Sequence, residues 1–339
     1  MELPIDYLIT RAKGIQSHLF VAGDYKKFQH MSNYSDFVNQ LRTTAYSSSL
    51  DQYYTTADPI HSLVRTVFMI VDRRWKLLTT NAPGTMLQQI RKYKIYIDMK
   101  NLYVVYQHFS HQETRSTAEP LFSVFPGGTI SLALWRELSQ SHTLKEFENK
   151  VSLLLPAQQQ FFPVLTSPGV NHPLQLLDRI NELYFDKTSP TSIKPNPLAF
   201  FLLDLVNKLL LRISLQTEDL TSSDRQHILQ SLSYWQQLPG FIGKDLATVA
   251  PDQWYVTCYR VLVSTSSSDN QDETSYLEDK ATEFVLHAFR RYLKFHYDRQ
   301  SEILLILHLI LIEAYNIIWI AAGIYYELPR SVIMERVIL

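Results

Sequence analysis

The run Ile303–Tyr326, ILLILHLILIEAYNIIWIAAGIYY, decides how the rest of the chain is read. It is long and apolar enough for one continuous helix, and inside it stands the polar pair Glu313-x-x-Asn316. Residues three apart on a helix share a face, so a carboxylate and an amide sit side by side on an otherwise oily cylinder. The same device occurs twice earlier. Asp98-x-x-Asn101 lies in IYIDMKNLYVVYQHF and Asp204-x-x-Asn207 in LAFFLLDLVNKLLLRISL, at intervals of about 106 and 109 residues, regular enough to indicate an internal repeat.

A second echo has nearly the same period. Asp36-Phe37-Val38-Asn39-Gln40-Leu41 returns as Glu146-Phe147-Glu148-Asn149-Lys150-Val151, with acid, Phe and Asn in register at an offset of about 110 residues. The chain therefore reads as three copies of one helical unit, over residues 1–112, 113–220 and 221–339, each with a long apolar helix carrying an acid and an Asn.

Composition narrows the function. With 46% apolar residues in 339, the chain has material for a substantial core. A formal net charge of −1 argues against nucleic acid as a whole-surface partner. Cys258 is the single cysteine, which rules out an internal disulfide and a cysteine-cluster metal site and fits a small buried apolar residue. The nine glycines sit mostly at breaks, too few for a hairpin-rich architecture. The opening MELPIDYLITRAKG lacks the pattern of a secretory signal, and the expected location is the cytoplasm.

In chain order, Tyr7, Leu8, Ala12 and Ile15 have helical spacing, Gly23-Asp24 reads as a break, and Ser35-Asp36-Phe37 reads as a capped helix start. Asp58-Pro59 opens another helix, whose apolar stripe from Ile60 to Val71 is ended by Asp72-Arg73-Arg74. Asn81-Ala82-Pro83-Gly84 precedes the helix bearing Asp98 and Asn101. Phe125-Pro126-Gly127-Gly128-Thr129 makes a turn into ISLALWREL, and Thr143-Leu144-Lys145-Glu146 has the spacing of a capping box. Proline punctuates the linker TSPTSIKPNP, and Ser264–Ser275 has little to bury and reads as a mobile loop. Period-2 alternation is scarce throughout, so the fold class is all-α.

The chemical motifs that would mark an enzyme are missing. Gly240-Phe-Ile-Gly243-Lys244 lacks the spacing and hydroxyl of a phosphate cradle. His108-x-x-His111 has no carboxylate at metal-ligand spacing and reads as a helix-end surface pair. No Gly-x-Ser-x-Gly elbow singles out a nucleophile, and no acid–base pair stands out. No catalytic residue, cofactor or metal is expected.

Ile303–Tyr326 is also long enough to cross a bilayer. Against that stands Glu313, since an Asp at the centre of a membrane helix costs roughly 2.5–3.5 kcal/mol on insertion scales. The helices around Asp98 and Asp204 carry Lys100, Lys208 and Arg212, and a helix apolar all round also suits the core of a large soluble protein. The core reading is preferred. The three acid/Asn pairs are then expected to pin long helices to their neighbours, with Arg or Lys side chains and the amides of adjoining helix ends as donors.

These features resemble a known family. Tyr7-x-x-x-Arg11-x-Lys13 followed by Leu19, Leu41-x-x-Thr44-x-Tyr46-x-x-x-Leu50, the acid-x-x-Asn helices and Leu328-Pro329-x-x-x-Ile333 are similar to the C-type stalk component of the V/A-type rotary ATPases, the counterpart of the d-type component of the eukaryotic enzymes. Glu327 departs from it, standing where the family often has Gly before Leu-Pro. The resemblance implies three helical units arranged as a funnel about a pseudo-threefold axis, seated on the membrane rotor ring and receiving the central shaft. It implies no reaction of the protein's own and a peripheral position on the membrane. A free-standing helical adaptor and a protein anchored through residues 303–326 are the alternatives.

Overall fold

The computed structural model describes residues 4–31, 33–110, 124–154 and 299–338, with isolated positions between 286 and 294. His111, Asp204, Asn207, Gly240–Lys244, Cys258 and Ser264–Ser275 lie outside them. Among the described residues there are helices and no strands: α1 (Ile5–Gln16), α2 (Ala22–Gln29), α3 (Tyr34–Leu41), α4 (Ser47–Tyr53), α5 (Pro59–Thr79), α6 (Gly84–Ser110), α7 (Leu132–Ser139), α8 (Leu144–Leu154), α9 (Arg299–Tyr325) and α10 (Arg330–Glu335). The all-α reading stands. The chain falls into two compact units, residues 1–144 with 290–339, and residues 145–289.

The first unit is built on α9. Helices α1, α3, α5 and α10 pack on it, and from Ile303 to Gly323 every residue but His308 is buried. Each buried Leu or Ile contributes about 1.5–3 kcal/mol relative to exposure, and α9 has no polar face left for water. By length and composition α9 is one helix that would fit a membrane, but 94% of its apolar window is already buried inside the chain. That burial favours the core reading.

Local chemistry sets the helix starts, in places differently from the expectation. Pro59 is the first residue of α5, preceded by Asp58, as anticipated. Gly23-Asp24 does not break the chain: it lies in the first turn of α2, where Asp24 Oδ2 accepts the Val21 amide at 3.1 Å. The cap of α3 is Asn33, not Ser35, with Asn33 Oδ1 accepting the Asp36 amide at 2.9 Å. Nor does Asp72-Arg73-Arg74 end α5, which runs on to Thr79. Asp72 and Arg73 are exposed, whereas Arg74 continues the buried face with Trp75 and Leu78.

Helix α9 ends in a tight left-handed cap. The Leu328 amide donates to Gly323 O at 2.8 Å and the Glu327 amide to Ile324 O at 3.2 Å, with Glu327 at φ +56°. An L side chain in this conformation costs about 1 kcal/mol, which accounts for the glycine often found at this position in the family that the chain resembles. Glu327→Gly is expected to raise the melting temperature by the equivalent of up to about 1 kcal/mol. Thermal unfolding followed by circular dichroism checks this, and a lower melting temperature would show that the Glu327 side chain makes a stabilising contact that outweighs its backbone strain.

Candidate functional site

Four of the six residues in the acid/Asn pairs lie among the described residues, and all four are buried: Asp98, Asn101, Glu313 and Asn316. Two of them stand one turn apart on α6 and two on α9. Their neighbours are apolar, so each polar atom needs a partner at close range.

On α6, Asn101 meets the backbone of one residue twice. Its Nδ2 donates to Phe125 O at 2.8 Å, and its Oδ1 accepts the Phe125 amide at 2.8 Å. Asp98 holds the same segment a few residues on: Oδ2 accepts the Thr129 amide at 2.7 Å and the Thr129 hydroxyl, and Oδ1 accepts the Ile130 amide at 3.2 Å. The segment 125–130 is thereby strapped across α6. Gly127 and Gly128 let it come so close. A Cβ on Gly128 would collide with Asp98 Oδ1, and one on Gly127, which has φ +97°, would stand 2.7 Å from Leu311 of α9. Burial pushes the Asp98 carboxyl up, and the bonds from Thr129 and Ile130 oppose the shift.

The arrangement recurs on α9. Asn316 Nδ2 donates to Ile338 O at 2.7 Å and Oδ1 accepts the Ile338 amide at 3.0 Å. Glu313, like Asp98, accepts a backbone amide, that of Phe20 at 2.5 Å through Oε2. Glu313 Oε1 also takes Arg74 Nη1 at 2.5 Å and the Tyr46 hydroxyl at 2.7 Å. The two clasps share a wall, because Phe125 stacks on Tyr315, the neighbour of Asn316, at 4.7 Å and 8°.

The electrostatics fit a sealed joint. Burial, then the charge of Glu313, hold the Tyr46 hydroxyl far above its ordinary pKa, so it stays protonated as a donor. Tyr25 is raised by the same causes. Burial works against the charge on Arg74, yet Tyr46 and Glu313 beside it carry its pKa above the ordinary arginine value. Both oxygens of each acid accept hydrogen bonds, which leaves neither poised as a general base. Among the described residues no group of three His, Cys, Asp or Glu is placed to hold a metal.

Arg74, Tyr46 and Phe20 complete the α9 clasp, and local sequence does not single them out for it. Tyr46 is part of the motif Leu41-x-x-Thr44-x-Tyr46, and Arg74 reads from the sequence as a helix-end charge. The available clue is that a buried carboxylate in an apolar helix requires a cation within the fold.

Two outcomes follow. Asn101→Leu leaves both backbone groups of Phe125 without partners and is expected to cost about 2–4 kcal/mol, measured by chemical denaturation. Arg74→Met leaves the Glu313 charge uncompensated and is expected to cost about 3–5 kcal/mol, and to cost less in a Glu313→Gln background, which carries no charge and keeps an oxygen for its donors. An equal cost of Arg74→Met with and without Glu313→Gln, measured by chemical denaturation, would show that the pair is not coupled.

No curated protein matches the chain at a significant level. The model of the ATP synthase (C/AC39) subunit family does, over residues 8–336, and so takes in both acid/Asn pairs and every clasp partner but Ile338. The chain belongs to the ATP synthase (C/AC39) subunit family.

Proposed function

We propose that the chain is the non-catalytic central-stalk subunit of a V/A-type rotary ATPase, a socket that couples the rotor shaft to the ion-carrying ring in the membrane. The family match across residues 8–336 is the observation that carries this reading. The clasps support it: their acids serve as fasteners for backbone, and torque transmission calls for packed, incompressible helices rather than for a reactive group. The partners in this reading are the shaft subunits and the rotor ring, with the chain peripheral to the membrane through the ring and no cofactor of its own.

The same reading makes the chain three copies of one unit, residues 1–112, 113–220 and 221–339, set as a funnel about a pseudo-threefold axis. Matching helix positions support the repetition. Helices α2 and α7 run over 22–29 and 132–139, and α3 and α8 begin at 34 and 144, an offset of 110 residues both times. Buried Tyr25, Phe28, Phe37 and Leu41 have buried counterparts at the same offset in Trp135, Leu138, Phe147 and Val151. Helices α6 and α9 are 27 residues each, with Asp98 and Asn101 placed in one as Glu313 and Asn316 are in the other. Asp204 and Asn207 are proposed to do the same work in the second unit.

Affinity purification of the tagged chain from gently solubilised membranes tests the assignment. Catalytic, shaft and ring subunits of an ATPase are expected to come with it, and its deletion is expected to abolish ATP-driven ion pumping while leaving the detached head able to hydrolyse ATP. A chain recovered without those subunits, with pumping unchanged on deletion, would make it a free adaptor; retention in the membrane after alkaline extraction would restore the anchored alternative.

A further inference from the structure

The two clasps perform the same two tasks with different pieces of chain. On α6 one continuous segment does both: Asn101 grips the backbone of Phe125, and Asp98 grips the amide of Ile130 five residues later. On α9 the tasks are divided between two stretches far apart in the sequence. Asn316 grips Ile338, near the C-terminus, and Glu313 grips Phe20, near the N-terminus. Phe20 precedes Ile130 by 110 residues, the offset that relates α2 (22–29) to α7 (132–139). Phe20 therefore occupies in the second clasp the place that Ile130 occupies in the first, and Ile338 the place of Phe125.

We infer that residues 333–338 and residues 19–21 together form one strap in two pieces, a latch in which two stretches distant in sequence close on α9 and which opens as a unit. The inference rests on these contacts and not on the rotary-ATPase assignment.

The C-terminal piece has a built seat. Trp319 Nε1 donates to Ile333 O at 3.0 Å, and Gly323 leaves room for the Ile333 side chain, which would lie 2.5 Å from a Cβ there. The Arg336 guanidinium covers the Trp319 ring at 4.1 Å and donates to the Tyr315 hydroxyl at 3.2 Å. Ile333, Val337 and Ile338 are buried. Helix α10, six residues long, is too short to persist unaided, so its structure depends on the seat. The N-terminal piece is held by Phe20, whose ring meets Tyr25, Phe28 and Tyr46 at 5.3 to 6.0 Å. Glu313 and Asn316 are one helical turn apart, so a shift of that turn disturbs both grips at once.

The test is amide hydrogen exchange on the purified full-length chain carrying Ile338→Pro, which removes the N–H given to Asn316 and alters nothing on α9. Exchange is expected to quicken about tenfold or more across residues 333–337 and severalfold across 17–25, while residues 299–306 at the far end of α9 exchange as in the wild type. A wild-type rate at 17–25 with 333–337 loosened would mean two independent contacts and would overturn the latch, as would unchanged exchange at 333–337 or equal loosening at 299–306. A second measurement uses a chain ending at Leu328 and a synthetic peptide of residues 329–339. The peptide is expected to raise the melting temperature of the shortened chain and to restore protection at 17–25, and a peptide with Ile333→Asp to do neither. Failure of the unmodified peptide to restore that protection in a folded shortened chain would also overturn the proposal; should the shortened chain not fold, Ile338→Pro decides alone.

Discussion

A carboxylate inside an apolar helix is the constraint on which the first compact unit depends. Glu313 is buried in α9, and a charge there is tolerable only when its oxygens are fully engaged. The engagement comes from three separate stretches: Phe20 before α2, Tyr46 at the start of α4, and Arg74 in α5. Satisfying one side chain thus fixes the position of much of the N-terminal third against the C-terminal helix. An aliphatic residue at 313 would bury as well. It would not specify which neighbours surround it.

Asn101 and Asn316 solve a complementary problem. A segment crossing a helix at close range leaves its own N–H and C=O without a ladder, and a primary amide presents along one edge a donor and an acceptor that meet the C=O and N–H of a single residue. Each Asn thus acts as a one-residue edge for Phe125 or Ile338. The arrangement is stiff because both bonds must break together. Stiffness of that kind suits the coupling role proposed above, in which deformation inside a part would dissipate the work passing through it.

Much of this architecture was legible in the sequence, and the illegible remainder has a physical pattern. The periodic runs, the proline at the start of α5 and the polar positions Asp98, Asn101, Glu313 and Asn316 within apolar helices could all be read locally, because an acid or amide within an apolar run advertises itself. What could not be read were the partners. Tyr46, Arg74 and Phe20 lie 267, 239 and 293 residues from Glu313, and no local spacing encodes such distances. Charge misled at Asp72-Arg73-Arg74, where two residues face solvent and the third turns inward on the same helix. Gly23-Asp24 misled because an acid at the third position of a helix and a glycine in a turn share the same letters. Asp204 and Asn207 lie outside the described residues, and their place in the repeat rests on sequence spacing.

The glycine pair in the strap on α6 bears on what natural variation the chain can tolerate. At Gly128 the obstacle is a carboxylate oxygen whose group is held by Thr129 and Ile130, so it cannot retreat without giving up those bonds. Even alanine, the smallest change available, must displace the very group that fixes the adjoining backbone. A side chain at residue 128 therefore calls for a shift of the strap or a smaller group at residue 98, so the space open to the one position is set by what stands at the other.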